Sequence, residues 1–209
     1  MRNGLSFSRG ATTVLALAIC LAAVPTATPS APLAIGTARV TIAGSSNIHD
    51  YTATTTTVRV TRVQLGALPT SGDLLDSATK PGVVEAFDVA IPAATLKSSK
   101  DGLDKNMHAA LKASEHADIT FKLLRFEPAA PPATGMRAVG VLRIAGVDRQ
   151  VSIAIATERK DAVLIVKGSL ALLMTDFGIT PPKAMMGMLK TDPKVTITFD
   201  VAVAAASLT

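Results

Sequence analysis

The chain has 209 residues, of which 48% are hydrophobic and only 3% aromatic, and its 21 basic and 16 acidic residues give a formal net charge of +5. It contains one tyrosine and no tryptophan, and no basic run is longer than Arg159-Lys160. Because nucleic-acid binding uses aromatic stacking platforms and a cationic stripe, the composition argues against nucleic acid as a partner.

Residues 1–31 are predicted to form a secretory signal peptide. Arg2 and Arg9 precede the apolar run of residues 11–24, and small residues interrupted by prolines follow it. The run is shorter than the ~20 residues that a membrane-spanning helix needs, and no second long apolar segment follows. With cleavage placed within residues 26–34, we expect a periplasmic or secreted protein without a transmembrane segment after the leader.

The only cysteine of the chain, Cys20, also lies in the leader. Acylation of a cysteine at a cleavage site requires a small residue before it, and Ile19 is not small, so we favour a soluble protein over a lipoprotein. The remaining domain has no cysteine, and therefore no disulfide and no thiol nucleophile. Without Arg2 and Arg9 its net charge falls from +5 to +3.

Apolar and polar residues alternate with a period of two through most of residues 37–206, which is the pattern of strands with one buried face. In residues 194–203 that face consists of Val195, Ile197, Phe199, Val201 and Val203. Seven or eight such segments follow one another, with turns predicted at residues 146–148 and 158–163. This order predicts one mainly β domain with one inserted helix, and favours an antiparallel up-and-down barrel of about eight strands over a sandwich.

The segment of residues 162–174 is apolar on both faces. Leu164 and Leu170 fall on one face, whereas Val163 and Ile165 fall on the other. A strand that lines an apolar interior and is covered by the helix on its outer side would have this pattern, and so would a central sandwich strand under a loop.

The stretch "DGLDKNMHAALKASEH", residues 101–116, is predicted to form an amphipathic helix of about three turns. Asp101 and Asp104 resemble a capping box at its start. Its apolar side includes Leu103, Met107 and Leu111. If these side chains reach the mouth of the barrel, the helix is a gate for a ligand; if they contact only the outer wall, it is packing.

The chain offers two weak candidates for a catalytic site. Asp104 and His108 share one stripe of the helix, and His49 could join them, but a zinc site needs at least three convergent ligands. Ser46, His49 and Asp50 lie close in sequence, but on one strand alternation would send the histidine to the opposite face. We therefore predict no metal site, no catalytic residue and no enzymatic activity.

The segment of residues 180–189 combines Thr180-Pro181-Pro182, which must be extended, with a methionine-rich stretch containing Met185 and Met188. Methionine adapts its shape to irregular apolar partners. These residues can therefore form a wall for an apolar ligand or a plug at one end of a β core, and the pattern leaves both interpretations open.

Four stretches resemble the YceI-like family, whose members are exported, lipocalin-like barrels regarded as polyisoprenoid-binding proteins. The stretches are residues 44–55, 89–123, 140–153 and 174–201. The second, which runs from a strand through a polar loop and the helix to Ile-Thr-Phe, is the most diagnostic. The chain departs from the family at Tyr51, where many members have tryptophan, and at Ala117, where proline is usual.

The resemblance implies an exported, non-enzymatic protein that shelters an isoprenoid-type lipid or a quinone tail in a lipocalin-like barrel. Inward residues would bind the ligand: Phe87, Val89, Ile91, Phe121, Leu142, Ile144, Leu170, Leu172, Met174, Met185 and Met188. We expect no cofactor apart from a bound isoprenoid lipid or quinone, and a homodimer is compatible with the sequence. The alternatives are a filled-barrel interaction or stress-response module without a ligand and, less favoured, a metal-assisted enzyme using His49, Asp104 and His108.

Overall fold

The described part of the chain consists of strands, two α-helices and two short 3₁₀ turns. The structure is a computed structural model and describes residues 32–66, 73–129, 135–184 and 188–205. The strands are β1 (Leu33–Ser46), β2 (Asp50–Thr55), β3 (Arg59–Leu65), β4 (Val84–Pro92), β5 (Asp118–Pro128), β6 (Met136–Ile144), β7 (Val147–Lys160), β8 (Val163–Leu173), β9 (Lys183–Ala184) and β10 (Leu189–Ala205). The helices are α1 (Leu74–Ser77) and α2 (Asp101–Ala110), and the 3₁₀ turns are Ala93–Thr95 and Met174–Phe177.

The strands form one antiparallel sheet in the order β2-β1-β10-β8-β7-β6-β5-β4-β3, and β9 pairs with β10 beside this path. Neighbours in the sheet are therefore mostly neighbours in the chain, and β10 pairs with β1. The two edges of the path are β2 and β3, which follow each other in sequence. The predicted mainly β, up-and-down antiparallel fold is confirmed: the nine strands of this path form a curled half-barrel. The structure has more strands and one more helix than expected.

Alternation along the strands creates the interior, as predicted. On β10, Val195 and Val203 are buried, whereas Thr198 and Asp200 on the opposite face are exposed. On β8 the side of Leu164 and its alternate neighbours faces the same interior. The walls of the barrel thus follow from the period-two pattern of the sequence.

The β6–β7 hairpin turns at Ala145 and Gly146, one residue earlier than predicted. Both residues have positive φ, 49° and 82°, and Ile144 pairs with Val147 across the turn. Two positive φ angles match a two-residue turn of type I′, whose twist suits the flanking strands. The next turn, within residues 158–163, is confirmed and has Asp161 at a φ of 51°.

Helix α2 is shorter than predicted, because the backbone reverses at Lys112. Lys112 has a φ of 52° and its N–H donates to Ala109 O, while Ala113 N–H donates to His108 O. This paired arrangement closes a helix end in the Schellman manner. The predicted capping box is wrong as well: the N-cap residue is Lys100, and no side chain caps the helix there.

Helix α1, which the sequence pattern did not predict, packs at the barrel end opposite α2. Asp73 caps it by accepting a hydrogen bond from Leu75 N at 2.8 Å, and Arg159 donates to the same carboxylate at 2.6 Å. Leu75 and Ala78 are buried in the same cluster as Leu33 and other barrel residues. A helix of four residues is too short to produce a detectable periodicity.

Candidate ligand-binding site

Two adjacent cavities lie inside the barrel. The outer cavity, of about 240 Å³, lies against α2, and the inner cavity, of about 210 Å³, extends towards α1. Ile197 lines both cavities. On three strands, successive inward residues line the two cavities. The outer cavity is lined by Ile119 of β5, Ile144 of β6 and Leu172 of β8, and the inner cavity by Phe121, Leu142 and Leu170 of the same strands. The cavities are therefore successive layers of one interior.

The inner cavity is apolar throughout its described lining except for Thr79. Seven strands contribute aromatic or branched side chains, among them Phe87, Phe126 and Phe199. An apolar cavity of this kind holds no partners for ordered water, and its contents must be apolar to be stable there.

The outer cavity has an apolar floor and a polar rim. Met107 and Leu103 of α2 line it, so these helix residues reach the mouth of the barrel. Its polar lining residues are Ser46, His49, Tyr51, Lys100, Asn106 and Thr191. The predicted cover of β8 by the helix is wrong, because α2 lies across the barrel end and leaves the outward Leu173 exposed.

Tyr51 contributes a hydroxyl group to this mouth. Its ring lies over Gly44 of the neighbouring strand, where any side chain would collide with it. Burial, together with the nearby carboxylate of Asp192, raises the pKa of the Tyr51 hydroxyl. The hydroxyl therefore stays protonated at neutral pH and can donate one hydrogen bond at the mouth.

Most of the residues predicted to bind a ligand line the two cavities. The inner cavity is lined by Phe87, Val89, Ile91, Phe121, Leu142 and Leu170, and the outer cavity by Ile144, Leu172 and Met174. Met188 lines neither and is 68% exposed. Met185 lies outside the described residues. Ile42 and Ile119, which were not among the predicted residues, also line the outer cavity. The alternation that placed Phe121 inward also placed Ile119 there.

The polar residues of α2 serve to attach the helix. Asp104 is buried and accepts a hydrogen bond from Ser98 N at 2.7 Å, with Lys97 Nζ 3.5 Å from the same carboxylate. Hydrogen bonds from Ser98, through its hydroxyl and then its backbone N–H, hold the pKa of Asp104 below its usual range. The Nε2 atom of His108 lies 2.9 Å from Leu96 O. These contacts fix α2 to the segment that precedes it.

The structure does not assemble the catalytic constellations considered above. Within residues 32–66, 73–129, 135–184 and 188–205, no three His, Cys, Asp or Glu side chains are grouped as metal ligands would be. Ser46, His49 and Asp50 do not lie on one strand as supposed, but at the turn between β1 and β2. The Ser46 hydroxyl donates to His49 O at 2.8 Å and accepts from His49 N, so it serves the turn.

A family model, the YceI-like domain, matches residues 36–203. The chain belongs to the YceI-like family. The match covers most of every described strand that lines the two cavities, and it confirms the resemblance carried by the four sequence stretches. No curated protein sequence matches the chain.

Solved structures share the fold of this YceI-like protein. Burkholderia cenocepacia BcnA has a TM-score of 0.62 at 14% identity, covering 80% of this chain and 96% of its own. A polyisoprenoid binding domain from Saccharophagus degradans, implicated in plant cell wall breakdown, has a TM-score of 0.59 at 12% identity and covers 85% and 100%. A mutant Campylobacter jejuni YCEI protein with a monobromobimane guest has a TM-score of 0.52 at 14% identity and covers 78% and 85%. At these identities the likeness shows the fold.

Helices of this YceI-like protein that fall in its described ranges are all too short or too polar to cross a membrane.

Proposed function

We propose that this YceI-like protein is an exported, non-enzymatic binding protein that shelters the apolar chain of an isoprenoid lipid or a quinone inside its barrel. The observation that carries the proposal is the inner cavity, whose described lining has Thr79 as its one polar residue. A barrel that acted only through its surface would be expected to have a filled interior, because interior voids weaken packing.

The size of the interior suits a slender apolar chain. The cavities of about 240 and 210 Å³ together reach the lower part of the range of about 300–1,000 Å³ that ligand pockets occupy. Each methylene group that a ligand transfers from water into a dry cavity contributes about 0.8 kcal/mol. A few isoprene units can therefore offset the cost of association without a charged contact.

The mouth suits a ligand with one polar end. Tyr51, Lys100 and Asn106 line the outer cavity where it meets solvent, while the inner cavity is apolar. A chain that entered past α2 would leave its polar end beside these side chains. At the opposite end Leu75 and Ala78 are buried against barrel residues, so this proposal takes the α2 end as the entrance.

The isoprenoid class rests on the family and on one structural relative. That relative is a polyisoprenoid binding domain with the same fold. The expected signal peptide supports a periplasmic or secreted location, since Arg2, Arg9 and the apolar run of residues 11–24 have the order of a leader.

The test starts from protein purified from an exporting host. Organic extraction and native mass spectrometry should reveal a co-purifying lipid, and the extracted protein should take up geranylgeraniol. Leu170→Gln places an amide in the inner wall, whereas Ala171→Gln places the same group on the exposed face of β8. Because a buried amide without a partner is costly, we expect Leu170→Gln to weaken uptake by about ten-fold or more, and Ala171→Gln to leave it unchanged.

Absence of both a co-purifying lipid and uptake by the wild-type protein would refute the proposal and favour the filled-barrel interaction module. Equal uptake by the wild type and both variants would show that the ligand binds elsewhere. Thermal unfolding of each variant controls for a loss of fold.

A further inference from the structure

Two glycines of the barrel wall lie at inward positions and are covered by phenylalanine rings from the adjacent strands. Gly168 of β8 pairs with Phe199 of β10, and the ring of Phe121 on β5 covers Gly140 of β6. A Cβ atom added at Gly168 would lie 2.6 Å from Phe199 Cε1, and one added at Gly140 would lie 2.6 Å from Phe121 Cε2. Each ring thus occupies the space that a side chain at the glycine would need.

This arrangement keeps the Phe199 ring against the wall of the inner cavity. The ring lines that cavity, and its neighbours on the inward face are also large: Val166 and Leu170 flank Gly168 on β8, while Ile197 and Val201 flank Phe199 on β10. These side chains limit sideways movement of the ring. A ring pushed off Gly168 would therefore move towards the centre of the interior and occupy part of the inner cavity.

We propose that the Gly168–Phe199 pair determines the length of the apolar chain that the barrel accepts. The inference rests on the proposed binding of an isoprenoid chain through the outer cavity. A short chain fills the outer cavity and does not reach Phe199. A longer chain must continue into the inner cavity, of about 210 Å³, where a displaced phenyl ring would compete with it directly.

Gly168 is a cleaner position for a test than Gly140. At Gly140 an added Cβ would also lie 2.5 Å from Lys122 O, so the backbone of the neighbouring strand would have to move. At Gly168 the nearest backbone atom is Ala154 O at 3.1 Å, which small adjustments accommodate. Gly168→Ala therefore acts mainly on the ring of Phe199.

The chain supplies two matched controls. Gly36 lies on β1, and an added Cβ there would meet nothing closer than Ala202 O at 3.8 Å, so Gly36→Ala tests the general effect of a methyl group in the sheet. The double variant Gly168→Ala/Phe199→Leu keeps the methyl group but replaces the ring with a smaller side chain. It should recover the space that Gly168→Ala removes.

The experiment measures binding of geraniol, a short isoprenoid alcohol, and geranylgeraniol, a longer one, to the lipid-extracted mature protein by isothermal titration calorimetry. For Gly168→Ala we expect geraniol affinity within about two-fold of the wild type and geranylgeraniol affinity lower by about ten-fold or more, because several methylene groups lose their burial. Gly36→Ala should bind both alcohols as the wild type does. The double variant should regain most of the affinity for geranylgeraniol.

Two outcomes overturn the inference while leaving the proposed function intact. In the first, Gly168→Ala binds both alcohols as tightly as the wild type. In the second, it loses both equally and Phe199→Leu restores neither, which means that the methyl group damages the barrel generally. If the wild-type protein binds neither alcohol, the proposed function fails and the length selection fails with it.

Discussion

The substitutions Leu96→Ala and Leu170→Ala should separate the packed part of the core from the part that faces empty space. Leu96 is 1% exposed and packs in the cluster around Ala93 and Ile119, where it lines neither cavity. Leu170 is half-buried and already faces the inner cavity. The same chemical change therefore creates a new cavity at one position and enlarges an existing one at the other.

The expected magnitudes follow from this difference. Removing the outer carbons of a leucine costs about 2 kcal/mol in lost burial, which is the upper limit for the half-buried Leu170. At Leu96 a new cavity adds about 1–3 kcal/mol at about 24 cal/mol per Å³. Collapse there is limited, because Lys97 is bonded to Thr54 through both backbone groups, at 2.8 and 3.0 Å. We thus expect a loss of about 3–5 kcal/mol for Leu96→Ala.

Urea unfolding at constant temperature, followed by circular dichroism, gives both free energies of unfolding. An equal or larger loss for Leu170→Ala would contradict the division of the interior into packed and empty parts, since it would mean that Leu170 is fully packed. Isoprenoid binding provides a second comparison: Leu96→Ala should keep the affinity of the wild type, whereas Leu170→Ala changes the wall of the inner cavity.

Three further results are expected. Because the pKa of Asp104 is lowered in the folded protein, the carboxylate stabilises the fold fully above the unfolded pKa of about 3.9, and this stabilisation is lost as pH falls through the lower folded pKa. Asp104→Asn should therefore flatten the acid side of the curve of unfolding free energy against pH. An unchanged curve would contradict the hydrogen bonds between Asp104 and Ser98. Tyr51 is the only tyrosine, so a pH titration of tyrosine absorbance should show a midpoint above that of free tyrosine. Asp192→Asn should lower this midpoint; an unchanged midpoint would show that Asp192 does not raise the pKa of Tyr51. Lys112→Gly should raise the free energy of unfolding by about 1 kcal/mol, because glycine tolerates the positive φ that closes α2, and a loss of stability would contradict the assigned helix end.

The walls of the barrel were predictable because the information is local. Val195, Phe199 and Val203 alternate with polar residues, and this pattern alone places them inward. The same reasoning placed Phe121 and Leu142 in the interior, and both line the inner cavity. It could not show that the interior contains open space, since an inward side chain has the same sequence pattern whether it meets another side chain or a cavity.

The capping of α2 failed as a prediction because its decisive contacts are not periodic. Asp104 looked like a capping residue by its spacing from Asp101, yet it accepts a hydrogen bond from Ser98, before the helix. Similarly, Lys112 ends α2 although lysine is a good helix former, because the turn there closes backbone hydrogen bonds. The periodicity favoured a longer helix, whereas the backbone turn at Lys112 sets its actual end.

The α1 end of the barrel depends on a contact between residues that are distant in sequence. Arg159, at the end of β7, pairs with Asp73 at the start of α1, a separation of 86 residues. Strand walls need only alternating apolar residues, so widely different sequences can build them; this agrees with a shared fold at 12–14% identity to solved structures. A barrel end closed by a helix is less tolerant of sequence change, because particular pairs of residues, such as Arg159 and Asp73, hold the helix there. The proposed binding therefore predicts that barrels of this kind differ in ligand length and polar end group through residues at the α2 mouth and at wall positions such as Gly168, where an added methyl group would collide with the Phe199 ring.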